Sequence, residues 1–400
     1  ADWVFTRPIA TPEPVHAGYG GLEETAVPLT ADFNGTSVTG MAPLTVQFSD
    51  LSSGSPVSWN WNFGDSTTSA VQNPQHTYQS SGTYTVTLQI TNSTGGSITT
   101  TKSNYISVTS PPPFISGWTS RKTHTITGSS SGTLTNYPVR FTVHKGTGTD
   151  NGEHVYLGPN VKSDFGDVRF TKTDNSHLSY WIESQDASSA IIWVNIPSLP
   201  STGTQIYLYW GNGSASTTSN GATTFPFFDD FSSSTLDTSK WSNNGATVTI
   251  SNGIATITSP GSSYLGLTST TSTHTATRFR IKTADASGKY EYAGLSSFLS
   301  GTTNYCLVID NGGINHEYWT RTPSGYALST MGSADSAFHT YDVIKPNTTL
   351  SLGSRDGTFV TRNTYIPSGT LPVSLFAYSG TLEADWVFTR PIATPEPVHA

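Results

Sequence analysis

ADWVFTRPIATPEPVHA occupies Ala384–Ala400, and the same letters stand at Ala1–Ala17. A match of that length and mixed composition is neither chance nor low complexity. Repeats are weighed first because they decide architecture. Two readings follow. In one, the chain spans one period of a longer tandem array, which then continues beyond His399 with another GYGGLEET. In the other, a terminal strand is duplicated so that neighbouring molecules can exchange it. ADWVF itself alternates, with Trp386 and Phe388 on one face and Asp385 and Val387 on the other, so a strand is expected. In RPIATPEPVHA, Pro391, Pro395 and Pro397 cannot donate to a ladder, which predicts a stiff exit from the sheet.

Outward from that stretch, composition limits the choices. Charged residues make up only 12 % of the chain and the formal net charge is −8. With no basic stripe, nucleic acid is not an expected partner. Ser and Thr together are roughly 30 % of the residues, well above ordinary usage. Abundant Thr, Tyr, Trp, Val and Ile favour strands, and no amphipathic helical pattern of three turns occurs. The single cysteine, Cys306 in YCLVI, excludes an internal disulfide framework and reads as a buried thiol. No apolar run is long enough to span a membrane, and no charged leader precedes ADWVF, as in a mature or excised segment. Asn34, Asn92, Asn212 and Asn347 each begin an Asn-x-Ser/Thr sequon. Together they fit an exported, glycosylated protein.

Taken in order, the chain divides into four parts: 1–29, 30–110, 111–222 and 223–400. After the first copy, AGYGGLEETAVPLTA has no periodicity and reads as a linker. In APLTVQFSDLS, Leu44, Val46 and Phe48 share a face. In GTYTVTLQITN, Tyr84, Val86, Leu88 and Ile90 point inward while Thr83, Thr85, Thr87 and Gln89 point outward. Trp61 and Phe63 fill the same core, and Gly64-Asp65 make a turn that Asp65 caps. The prolines of PPPF (111–114) form a stiff hinge. TQIYLYW puts Ile206, Leu208 and Trp210 on one face and Tyr207 and Tyr209 on the other. In ATVTISNGIATITS, Asn252-Gly253 is a hairpin signal.

Three resemblances rest on these residues. The W-x-F-G-D core (Trp61, Phe63, Gly64, Asp65) and the N-P-x-H-x-Y element (Pro74, His76, Tyr78) resemble the polycystic-kidney-disease (PKD) type repeat. That implies an immunoglobulin-like extracellular spacer or interaction module without catalysis. Asp167–Phe170, Tyr180–Glu183, Trp193-Val194 and the Y-W-G-N turn (Tyr209–Asn212) resemble a domain-of-unknown-function family found in secreted proteins of archaea and bacteria. FPFFDDFSSSTLDTSKW and the closing EADWVF resemble a concanavalin-like, laminin-G-like jelly roll. In such folds the terminal strands lie together, so Asp385–Thr389 should complete the sandwich near Phe228–Phe231. The fold class expected is therefore all-β: three β-sandwiches in a row, joined as a semi-rigid rod of about 100 Å per unit.

Chemistry is sparse by the same reading. Retaining glycoside hydrolysis needs two carboxylates roughly 5 Å apart. The strand KYEYAGLS offers Glu291 alone, and Glu317 in HEYW sits on another strand. No catalytic residue and no enzyme activity are expected. Gly128–Gly132 (GSSSG) matches the nucleophile-elbow string but lies in a polar loop, which is the wrong context. The histidines show no paired metal spacing, and His16 and His399 are copies of one residue. The jelly-roll resemblance implies calcium as the one candidate cofactor, held by Asp385, its copy Asp2, and Asp230 or Asp229. Tyr290, Tyr292, Tyr305, Tyr318 and Trp319 could stack on sugar rings. The reading that gathers most of these observations is a structural extracellular surface protein, one period of a fibre. Its assembly residues would be Asp2, Trp3, Val4 and Phe5 with Asp385, Trp386, Val387 and Phe388, and its partners other copies of itself. The alternative is a carbohydrate-binding adhesin with glycan partners.

Overall fold

A computed structural model describes residues 27–399 except 272, 284–287 and 302. The first copy of the repeated stretch, with Asp2, Trp3, Val4, Phe5 and His16, lies outside the described residues. The chain is all-β and separates into two compact units, Ala1–Pro112 and Pro113–Ala400.

The first unit is an immunoglobulin-like sandwich. Phe33–Thr36, Leu44–Asp50 and Gln75–Tyr78 form one sheet. Thr39–Met41, Ser97–Thr109, Gly82–Asn92, Pro56–Asn62 and Thr68–Ser69 form the other. The alternation read from the sequence is the burial observed: Val46, Phe48, Val86, Leu88 and Ile90 are sealed while their neighbours face out. Trp61 and Phe63 stack in the core with ring centroids 6.4 Å apart. Gly64 has φ +83°, the left-handed region that favours glycine. Asp65 caps this turn by accepting from the Thr67 amide at 3.1 Å, and its other oxygen lies 2.7 Å from His76 Nε2.

The second unit holds two sandwiches. The smaller pairs a four-stranded sheet (His154–Tyr156, Leu134–His144, Ser189–Leu199, Tyr180–Gln185) with a three-stranded one (Arg169–Lys172, Thr204–Trp210, Ser120–Ile126). Ile206 and Leu208 enter its core, and Tyr207 and Tyr209 lie on the opposite face, against Arg121. The larger is the jelly roll. Its seven-stranded sheet includes Tyr264–Ser269, Val373–Tyr378, Tyr290–Ser296, Tyr305–Asn311 and Asn315–Thr322. Its other sheet is built around Thr381–Thr389. Asn252 (φ +53°) and Gly253 (φ +76°) form the two-residue hairpin turn between Thr247–Ser251 and Ile254–Thr258. Positive φ at both positions is what Asn-Gly supplies. Cys306 is fully buried in the core, and burial pushes its thiol up to about 11.

Three sandwiches are present as expected, but the separation expected between the second and third is corrected here. The second and third sandwiches do not follow one another as separate beads on a Pro-rich string. They lie face to face within one compact unit, joined by Trp181, Trp193, Phe225, Phe228, Trp386 and Phe388. The physical reason is area. Each sandwich presents a row of aromatics on the outer face of a sheet, and leaving both wet would expose several large rings.

Candidate functional site

Two features carry the functional question: the terminal stretch that occurs twice, and an aromatic groove on the other face of the jelly roll.

The strand Thr381–Thr389 sits inside its sheet. Ala276–Lys282 pairs along one side, and Ile254–Thr258 with Phe227–Asp229 along the other. The expected closure is observed, with Phe228 opposite Phe388 and Asp229 opposite Val387. Val387 points into the jelly-roll core, while Trp386 and Phe388 point toward the second sandwich. Phe388 stacks on Phe225 with centroids 3.9 Å apart, and Trp386 meets Trp181 at 5.3 Å.

Asp385 departs from the alternation. A bulge between Arg280 and Ile281 turns it away from the core, and it pairs with Arg280 instead. This corrects the placement of Asp385 on the face of Val387. A bulge adds one residue and flips the parity after it.

Beside this strand runs a buried ion pair. Arg278 donates to Glu183 of the second sandwich at 2.9 Å and to Asp342 of the jelly roll at 2.6 Å. Glu183 also accepts from the Trp193 indole at 2.6 Å.

Past Thr389 the chain does not leave the body as a stiff exit, which is a second correction to the terminal segment. It folds back along the second sandwich. Ala393 is buried in that sandwich's core, and its amide donates to Tyr137 Oη at 3.2 Å. Ser131, in the loop that superficially matched a nucleophile elbow, donates to the Thr394 carbonyl at 2.6 Å. Thr127 N donates to the Val398 carbonyl at 2.8 Å. His399 Nδ1 and His124 Nε2 are 2.7 Å apart, so one donates and the other accepts. Burial lowers both histidines, His124 to about 4. The prolines stop the sheet ladder, but they leave carbonyls and apolar faces free to dock. The segment is thus a clasp: its strand completes the jelly roll and its tail is pinned to the neighbouring sandwich.

Each candidate calcium ligand among the described residues has another partner. Asp229 accepts from the Trp241 indole at 2.8 Å, Asp230 caps a turn through the Ser232 amide at 3.2 Å, and Asp385 faces Arg280. Among the described residues, no group of three or more His, Cys, Asp or Glu side chains is placed to hold a metal ion.

The groove lies on the outer face of the seven-stranded sheet. It encloses a cavity of about 180 Å³ lined by Tyr264, Tyr290, Tyr292, Phe298, Tyr305 and Trp319, with Asn311 and Arg321 at its polar edge. Trp319 stacks on Tyr326, centroids 5.2 Å apart and planes 8° from parallel. Tyr318 does not belong to this surface. It is buried in the core and bonded to Ser351. Adjacent strand residues point to opposite faces, so Tyr318 and Trp319 cannot share one.

The same parity separates the two glutamates. Glu291 faces the interior, where its partner across the strands is Asp310. Burial, then Asp310, pushes Glu291 up to about 7. Glu317 is on the groove side and accepts from the Trp319 indole at 2.7 Å. The two therefore lie on opposite faces of the sheet, which is not the arrangement of a hydrolytic pair.

Of the sequon asparagines, Asn34 and Asn347 are exposed, and Asn92 and Asn212 are half-buried in turns.

Comparison with known proteins agrees in outline. Residues 26–108 match the family model described as PKD domain. Residues 164–244 match the model described as Domain of unknown function (DUF2341). That match starts later than the boundary read from the sequence and runs through Phe225–Phe231, the connection between the two sandwiches. No curated protein matches. Among solved structures, the chain is similar to a prokaryotic β-1,3-1,4-glucanase (lichenase) derived from a mouse hindgut metagenome. The identity is 18 %, over 42 % of this chain and 99 % of that one, with a TM-score of 0.35. A Bacillus licheniformis β-glucanase is 15 % identical over 42 % of this chain and 98 % of its own, TM-score 0.35. The PKD1 domain of Vibrio anguillarum Epp is 28 % identical over 20 % of this chain and 95 % of its own, TM-score 0.18. No helix of the described residues is long and apolar enough to cross a membrane.

Proposed function

We propose that this chain is a non-catalytic structural protein of the extracellular surface, whose working part is the terminal clasp. One observation carries the reading. The second copy of the stretch that occurs twice, Ala384–Ala400, joins two sandwiches into one body. Duplicating such a segment duplicates a joint. In a tandem array each copy would close the unit that precedes it, and Ala1–Ala17 would belong to the sandwich pair before this one. Low charge, high Ser and Thr content and exposed sequons at Asn34 and Asn347 support an exported, glycosylated setting. Antibody raised against the chain should label intact cells at their surface, and the coding sequence should continue past His399 with GYGGLEET. Label confined to the cell interior would sink the structural surface role.

The groove supports a second reading, a carbohydrate-binding adhesin. Flat, half-exposed tyrosines and Trp319 beside Asn311 and Arg321 are the surface on which sugar rings stack. Retention on a glycan array, lost on Trp319→Ala, would favour it.

A further inference from the structure

We propose that residues 1–17 of one molecule can fill the slot that residues 384–400 fill in another, so that this chain is a strand donor as well as a strand acceptor. The proposal rests on the structural reading above and names its partner: a second copy of the same chain.

The argument starts from what the slot selects. It takes Val387 into the jelly-roll core, Trp386 and Phe388 into the seam between sandwiches, Ala393 into the second core and His399 against His124. The residues at the corresponding places of the first copy are Val4, Trp3, Phe5, Ala10 and His16. Every hydrogen bond and every buried surface made by the second copy is therefore chemically available to the first. An empty slot is costly, because Thr381–Thr389 lies between strands rather than at an edge. Removing it would leave two rows of unpaired backbone groups and uncover the aromatic seam.

Two copies of the clasp sequence can therefore compete for one such slot. Exchange of Ala384–Ala400 for its copy preserves the contacts of that stretch and changes the connection. The covalent connection of Thr381–Thr389 to Val373–Tyr378 through a short turn gives the resident copy a high effective concentration. Exchange therefore becomes visible when the resident copy is weakened.

The experiment uses the full chain in two forms. Val387→Asp places a charge in the core and disfavours the resident strand. Val4→Asp combined with Val387→Asp disables both copies. The single variant is expected to form species larger than a monomer whose mass rises with protein concentration in light scattering, melting within a few degrees of the parent. The double variant is expected to stay monomeric and melt much lower. A synthetic peptide with the sequence of Ala1–Ala17 should raise the melting temperature of the double variant and dissolve the oligomers of the single one. A single variant that is monomeric at every concentration overturns the proposal, as does one that behaves like the double variant, aggregation of both included. So does a peptide without effect. Surface labelling of cells is unaffected by any of these results, so the exchange and the structural role fail separately.

Discussion

The jelly roll carries aromatic rows on both of its outer faces, and the two have opposite fates. On one face Trp386 and Phe388 are sealed under Trp181 and Trp193 of the neighbouring sandwich. On the other, Tyr264, Tyr290, Tyr292 and Trp319 line an open groove. Composition does not separate them, since both are alternating aromatics on strands. What separates them is a partner with matching polar chemistry. The closed face has Glu183 reaching across from the second sandwich to Arg278, and the clasp tail pinned along that sandwich beside it. An aromatic stripe becomes a joint when something on the same chain is built to cover it, and stays a groove when, among the described residues, nothing is.

The sharpest test is truncation within the closed face. Phe388→Ala removes a fully buried ring that touches Phe225, Trp181 and Trp193. A loss of about 4 kcal/mol is expected, measured by urea denaturation, with the second sandwich and the jelly roll destabilised together. If only the jelly roll were weakened, the face would not be a joint. Next in size is Arg278→Ala. It strands Glu183 and Asp342 as buried carboxylates without their cation. Removing one partner of a buried pair costs about 3–4 kcal/mol. The loss should exceed that of Arg280→Ala, whose pair with Asp385 is more exposed.

Two buried groups should give the joint and the jelly-roll interior opposite responses to pH. His124, under the clasp tail, is lowered from 6.5 to about 4 by burial. Its neutral form is favoured in the folded state. The contribution is full above pH 6.5 and is lost as pH falls through about 4, up to about 3 kcal/mol. Glu291, inside the jelly roll, is raised from 4.5 to about 7 by burial, then by Asp310. Its contribution is full below pH 4.5 and is lost as pH rises through 7, by a similar amount of about 3 kcal/mol. His124→Gln should flatten the acid limb of a stability–pH curve and Glu291→Gln the alkaline one. If one substitution flattened both limbs, the two regions would be coupled rather than distinct.

Much of this was legible in the residues. Period-two alternation marks the strands around Phe48, Leu88 and Leu208, and the jelly-roll resemblance implies the pairing of Asp385–Thr389 near Phe228. The errors have specific causes. Grouping Tyr318 with Trp319 conflicts with the parity of a strand. The bulge at Asp385 leaves no mark in the local pattern, because an extra residue shows only when the partner strand is known. The folded-back tail is not legible from its prolines, which say only what a ladder cannot do. Docking of Ala393 and His399 depends on Tyr137 and His124, more than 250 positions away in sequence, and no local pattern announces such a contact. The seam between sandwiches was hidden for the same reason: Trp181 and Trp193 look like any other sheet aromatics until Trp386 and Phe388 are placed opposite them.

The smallest expected effect tests the open face. Trp319→Ala removes one stacked pair with Tyr326, itself 53 % exposed, and one indole donor to Glu317. A half-exposed aromatic pair contributes about 1 kcal/mol, so the melting temperature should fall only slightly, far less than for Phe388→Ala. Glu317 is only 6 % exposed and loses its indole donor, but it stands on the groove side, where removal of the ring opens its carboxylate to water. If the groove serves as a binding surface, glycan retention should drop sharply while stability barely moves. A loss of stability as large as that of Phe388→Ala, with no change in retention, would mean that Trp319 holds the sheet together. The groove would then be one more packed face, and the contrast between the two aromatic rows would disappear.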